Sequence, residues 1–376
     1  MSGTQDLTPG EIPPPSREAA LARLQAVDAA AYARSRNHLQ GAVTGLSPYL
    51  SHGLLNVPEC LAALQLPAQH KLVYEFGWRE YFRHVWTHRG DGILRSLHEG
   101  PLPESAYAAE LPADIRRGAT GVPVIDQAVR TLYASGTLHN HARMWLASYV
   151  VHGRKVHWRA GADWLYAHLL DGDLASNHLS WQWVAGTASS RPYLFDAANV
   201  ARFAPPHWHS AGSAIDLSYA EWDALARSSQ ALPAGDGTGV DEPPLLGAPP
   251  LPTQVGPLPT GDDLWLAHPW ALGEPPAGAT VVGLIVTDAH RLHPWSRPRW
   301  DWVLARLAAL SPRLWIGSAA ELAAALGPDT RASTMANPHL DRWLPRSVQA
   351  LPEPRHFRAA APVCGSFSRW WSRVND

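Results

Sequence analysis

Residues 228–263 (SSQALPAGDGTGVDEPPLLGAPPLPTQVGPLPTGDD) hold so many prolines and glycines that no regular helix or interior strand can run through them. The stretch is acidic rather than basic and reads as a linker or a long irregular excursion. It divides the chain into two parts with different periodicities. Before it, apolar residues recur three and four apart. This spacing predicts helices at 17–36, 70–89, 122–135, 138–152 and 159–170, and two short helices in 47–64 broken at Gly53 and Pro58. No strand-like alternation of useful length precedes residue 200, so this part is expected to be all-α. After the stretch, ATVVGLIVTD and RLWIGS read as buried strands, and RPRWDWVLARLAAL and AAELAAAL as helices. That order predicts a small parallel α/β unit. No Gly-rich phosphate loop follows its first strand, so it carries no dinucleotide fingerprint. The expected organisation is a Pro- and Gly-rich disordered N-terminus (1–15), a helical domain (16–227), the linker (228–263) and the α/β unit (264–376).

The chain of 376 residues is 46% hydrophobic and 17% charged, enough to bury a sizeable core. No apolar run approaches the roughly 18 residues that span a bilayer, and no basic start precedes an apolar stretch. The expectation is no membrane partner, no secretory signal and a cytoplasmic location. Cys60 and Cys364 lie far apart and cannot build a four-thiolate cluster, so no structural metal is expected. The net charge of −2 gives no global pull towards nucleic acid; any such binding needs a local basic face. The 18 tryptophans are the unusual feature of the composition. Most of them read as core or surface aromatics, and a minority at special spacings are candidates for stacking or electron transfer.

Three constellations carry chemistry. Asp171, Asp173 and Asn177 bring two acids and an amide into DGDLASN, beside Trp181 and Trp183. Taken alone, the plain reading is a loop and a helix N-cap. Asn140, Arg143 and Met144 fall at i, i+3 and i+4 and share one helix face. Glu75, Trp78 and Arg79 span one helical turn, where the plain reading is a surface ion pair and a core Trp.

Four stretches, in order, are YARSRNHLQGAVTGLS (32–47), EFGWREYFRH (75–84), TGVPVIDQAVRTLYASGTLHNHARM (120–144) and DGDLASNHLSWQW (171–183). Together they resemble the flavin-binding helical domain of the photolyase/cryptochrome family. The resemblance implies an all-helical FAD-binding domain; with the linker and small α/β unit read above, the expected fold is mainly α. It also implies FAD as cofactor and damaged DNA, single-stranded or duplex, as partner. On this reading the protein is a deoxyribodipyrimidine photolyase-like lyase, a DNA-repair enzyme in which a light-excited reduced anionic flavin splits cyclobutane pyrimidine dimers.

The family pattern carries roles onto these positions. Asp171 pairs with Arg143 beside the flavin ring, Asp173 contacts ring or ribitol, and Asn177 faces the reactive ring nitrogen N5. An amide there donates a hydrogen bond to a reduced, anionic flavin without adding negative charge. Arg79 meets the pyrophosphate, Tyr32 contacts the flavin, and Thr44 and Ser47 lie in the phosphate-gripping turn. That turn, Thr-Gly-Leu-Ser, is one residue shorter than the family's and lacks its usual Arg. Asn140 and Met144 face both substrate and flavin, and at these positions they suit a cyclobutane dimer. Glu75 hydrogen-bonds the base edges, and Trp78 and Trp183 form the two walls of the substrate pocket, stacking being worth about 1–3 kcal/mol per base. Trp181 and Trp158 are the first two members of an electron chain. Its surface end falls in ESAYAAELPADI, which has no Trp, leaving Tyr107 as the substitute.

Two departures favour rival functions. The family's antenna domain, normally ahead of the helices, has no room here. DDLWLAHPWAL and VVGLIVTD are faintly like its strands, and a unit this small is expected to hold no second chromophore. The segment RPYLFDAANVARFAPP replaces the family's Phe-Asn-Pro region on the DNA face. The alternatives are a cryptochrome-like photoreceptor that binds an unidentified protein partner without repair, a flavin redox enzyme with a small substrate, and a helical structural protein without flavin.

Overall fold

The computed structural model describes residues 12–252, 257–259, 263–327 and 330–375. The chain begins with α1 (Arg17–Gln25) and α2 (Ala29–Ser35), where the sequence periodicity suggested one helix. The break has a local cause. Asp28 takes an extended backbone and its carboxylate accepts from Ala31 N, so it caps a new helix rather than continuing the old one. Next come α3 (Ser47–Ser51) and α4 (Val57–Leu64). Pro58, read from sequence as a breaker, sits in the first turn of α4, where its missing N–H costs nothing; Asn56 supplies the cap.

α5 (Lys71–Arg89) is the longest helix. Leu72, Phe76, Tyr81 and Val85 repeat along its buried side, and it ends at Gly90, whose φ of 52° suits glycine. α6 (Ala113–Arg116), α7 (Pro123–Ser135) and α8 (Asn140–Ser148) follow. The helix expected over 138–152 changes to a π turn at Tyr149–Gly153. α9 (Trp158–His168) and α10 (Leu174–Ala185) lie against each other. α10 is buried on nearly all sides, which makes it the central helix of this unit. Its partner α9 has Gly161 at the crossing; a methyl there would meet the Trp181 ring at 2.4 Å. α11 (Ala197–Phe203) and α12 (Tyr219–Ala226) close the unit. RPYLFDAANVARFAPP thus contains a capped helix.

The Pro/Gly-rich stretch is tied down where it is described. Leu232 N, Gly235 N and Val240 N donate to Gly153 O, Asp114 and Arg117 O, and Glu242 meets Arg116 and His168. Proline removes donors, and these remaining N–H groups find acceptors on the helices. It then forms β1 (Leu245–Leu246), which pairs antiparallel with β4 (Trp295–Ser296).

Beyond it, β2 (Asp263–Ala267), β3 (Thr280–Val286), β5 (Leu314–Gly317), β6 (Arg331–Met335) and β7 (Val348–Leu351) form one parallel sheet in the order β5-β3-β2-β6-β7. Helices α13 (Thr287–Leu292), α14 (Arg297–Leu310) and α15 (Ala319–Ala325) lie between its strands in sequence. The first strand is central, the chain running outward to one side and then to the other. This is doubly wound topology, with β2 and β6 flanking the switch point. The sequence showed the strand–helix–strand of β3–α14–β5; β6 and β7 went unread because RASTM and VQAL are too short and too polar to stand out. A last helix, α16 (Phe367–Val374), packs back onto α5.

One apolar core runs from α1, α3, α4 and α5 into the sheet, and a second lies among α6–α12. Pro13, expected to be disordered, is buried, and its carbonyl accepts from Trp302 on α14. Residues 1–11 of that expected disordered stretch lie outside the described residues.

Candidate functional site

The Asp171–Gly172–Asp173 loop joins α9 to α10, and α8 runs beside it. Arg143, at the fourth position of α8, places one terminal nitrogen 2.9 Å from both carboxylate oxygens of Asp171. Its Nε donates to Leu138 O, which fixes the guanidinium plane. Asp171 is almost buried and Arg143 about a quarter exposed, so the pair has a protected side and an open side.

Asp173 divides its two oxygens. One accepts from Ser176 N and caps α10; the other, Oδ2, is buried without a hydrogen-bond donor, 3.6 Å from Arg83 Nε. The N-cap reading of the loop therefore holds for Asp173, with an orphaned oxygen left over. Burial alone would raise this carboxyl; the guanidiniums of Arg83 and Arg79 outweigh it and hold it below the usual carboxylate range. Arg83 is itself buried and also meets Glu353 at 2.8 Å.

Asn177 lies one turn into α10. Its amide nitrogen donates to Ala162 O at 2.8 Å, which sets the amide plane, and also lies 3.4 Å from His178 Nδ1. Arg79 donates to Ser51 Oγ and Leu50 O and makes no ion pair among the described residues. Tyr32 on α2 lies beside Glu75: burial, and then the Glu75 carboxylate, push its phenol up. Glu75, the expected base-edge acceptor, lies 3.6 Å from Arg36 and 3.3 Å from Lys71.

Asn140 is exposed at the start of α8, its amide 3.7 Å from the Met144 sulfur, so the shared face read from the spacing exists. Thr44 lies in the turn before α3, and Ser47 opens α3. Arg23 of α1 grips that turn through the carbonyls of Val43 and Thr44, supplying from elsewhere a guanidinium that the turn itself lacks. Trp181 is buried against Gly161. Trp158 is buried and donates to Ser96 Oγ. Tyr107, His157 and Trp158 are in ring contact in series, at 6.5 and 5.5 Å.

The two expected pocket walls differ. Trp183 is 38% exposed. Trp78 has one face stacked on Phe367 of α16, centroids 4.0 Å apart, so that face is taken by the protein's own side chain. Two contributors escaped the sequence reading: Arg23 and Arg83. Arg83 could have been read, being four residues from Arg79 on the same helix; Arg23 depends on a tertiary contact.

Residues 72–210 match a family model described as the FAD binding domain of DNA photolyase. The chain is 33% identical over 210 residues to a deoxyribodipyrimidine photo-lyase of Synechococcus sp., an alignment covering 50% of this chain and 43% of that one. It is 36% identical over 123 residues to a cryptochrome DASH of Gloeobacter violaceus, covering 31% and 24%. A solved class III photolyase from Agrobacterium tumefaciens is 28% identical with a TM-score of 0.43, covering 50% of this chain and 42% of that one. The chain spans less than half the length of these relatives.

Residues 72–210 are therefore similar to the flavin-binding domain of the photolyases, and the cofactor this similarity supports is FAD. The residues present fit that group. A buried carboxylate oxygen lacks a donor, and Arg79 and Arg143 supply cationic donors suited to phosphate and to ring oxygens.

Proposed function

We propose that this protein uses FAD for light-driven repair of cyclobutane pyrimidine dimers. The observation that carries the reading is the Arg143–Asp171 contact, one guanidinium nitrogen shared by both carboxylate oxygens, with the neutral Asn177 amide six residues along the same segment. Reduced FAD, when bound and excited by light, supplies an electron to the dimer and takes it back once the cyclobutane ring has split.

The side chains divide the remaining work. Arg143 orients the Asp171 carboxylate. Asn177 offers an uncharged donor where a carboxylate would repel a reduced, anionic ring. Arg79 is placed for a pyrophosphate, and Tyr32 for the flavin. Asn140 and Met144 lie on the same face of α8 as Arg143. Half-exposed Trp183 offers a stacking surface for a base taken out of the helix, and Glu75 an acceptor for its edge. Trp181 and Trp158 lead from the site towards Tyr107 as an electron path. No side-chain nucleophile is required.

Illumination of the FAD-loaded, reduced protein with dimer-containing single-stranded and duplex oligonucleotides tests the reading. Loss of dimers in the light and not in the dark is the expected result; no loss in either substrate overturns it. The second reading, a light sensor without repair activity, draws on the Phe367 ring lying on Trp78 and on the near-neutral net charge. It predicts a light-dependent change in the environment of α16 with no dimer splitting.

A further inference from the structure

The loop that presents Asp171 and Asp173 is held from behind by the sheet unit. Arg299, on the first turn of α14, is fully buried. One of its terminal nitrogens donates to Tyr166 O at 2.6 Å and the other to Gly172 O at 2.7 Å. Its guanidinium lies over the Trp295 ring at 3.8 Å and the Tyr166 ring at 4.7 Å. Gly172 is fitted to it: a methyl at that position would come within 2.5 Å of the guanidinium. Two further contacts come from the same side. His339 Nε2 accepts from Leu174 N at 3.1 Å, and His52 sets its ring between Leu170 O and Pro269 O. Of the carbonyls of Leu170 and Gly172 and the N–H of Leu174, each is therefore met by the sheet unit directly or through His52.

A buried guanidinium needs compensating acceptors, and two carbonyls with two aromatic faces are costly machinery for merely joining two units. Both carboxylates next to Gly172 are drawn electrostatically to Arg299.

We infer that Arg299 is a positioning residue for the flavin: it fixes the backbone between Asp171 and Asp173 and sets a positive charge behind them, so the sheet unit completes the cofactor site. This rests on the flavin reading given above. The sheet unit is then required for FAD retention and for the flavin's redox balance, whatever else it binds.

The test compares wild-type protein with R299M, which keeps the volume and removes charge and donors, and with R299K, which keeps the charge and loses the two-carbonyl geometry. FAD affinity is read by fluorescence titration, the flavin midpoint potential by spectroelectrochemistry, and folding by circular dichroism and Tm. The expected result is FAD binding about tenfold or more weaker in R299M, from loss of a charged hydrogen-bond pair, with R299K intermediate. The midpoint potential of the FAD that R299M retains should become more negative, since a positive charge near the ring favours the reduced anion. A lower Tm with unchanged affinity and potential would make Arg299 a structural staple and overturn the inference. Should R299M fail to fold, R299K decides on the same two readouts. Wild-type protein that takes up no FAD sinks the flavin reading and this inference with it; wild-type binding with unaltered variants sinks only this one.

Discussion

Trp78 and Phe367 lie face to face, ring planes 11° apart, joining the helix that carries the site to the last helix of the chain. Tyr74 meets Phe367 edge-on, and Gly77 leaves room for the Trp371 ring, so α16 is fitted onto this side of α5. Aromatic pairs of this kind contribute about 0.5–1.5 kcal/mol beyond area burial.

Removing that ring should expose Trp78. In F367A, acrylamide quenching of tryptophan emission should rise and dimer-containing single-stranded DNA should bind more tightly, while Tm falls, since burial losses of this size cost about 3–5 kcal/mol. Unchanged quenching in a folded variant would show that Trp78 is shielded by something else.

The Arg143–Asp171 contact predicts an asymmetry. Asp171 is the more buried partner, so R143Q strands a carboxylate while D171N strands a guanidinium with an open side. Both variants should lose FAD, and R143Q should show the larger fall in Tm. Titration of apo-protein with FAD, beside thermal melts, checks the order; equal Tm values would mean the pair is solvated from both sides.

At the α9–α10 crossing, G161A should force Trp181 from its place, at about 1–3 kcal/mol for overpacking. The visible spectrum and the rate of flavin photoreduction should both change. A native Tm and native photoreduction would place the Trp181 ring further from Gly161 than the geometry has it.

Acid should loosen the protein through its buried histidines. His268 donates to Met335 O and accepts from Trp270 N, an arrangement that suits the neutral ring, and burial lowers it to about 4. Burial takes His152 to about 4 as well. Their unfolded values are higher, near 6.5, so protons favour the unfolded chain. The neutral rings contribute fully above pH 6.5, and the contribution is lost as pH falls from there through 4, each group adding a slope of about 1.4 kcal/mol per pH unit. Thermal melts from pH 8 to 4 should show a plateau and then a decline, shallower in H268N. A flat profile would mean these rings stay satisfied when charged.

The helical half was largely legible because its helices announce themselves: α5, α7 and α9 carry long apolar repeats and near-matching ends. The site was legible where its residues share a segment, as Asn140, Arg143 and Met144 do, or fall in one short motif, as Asp171, Asp173 and Asn177 do. Caps and tertiary contacts were not. Asp28 splits a helix through one hydrogen bond, and Phe367 reaches Trp78 from near the far end of the sequence. Arg299 lies 127 residues from its carbonyl acceptor on Gly172, beyond any local pattern.

That separation sets an order of events during synthesis. The ribosome makes the DGD segment well before it reaches α14, a delay of roughly 6–25 s at ordinary elongation rates. Through that interval the nascent helical half has no guanidinium behind Gly172. If Arg299 positions the flavin as inferred above, cofactor capture would be a late step, tied to translation of the sheet.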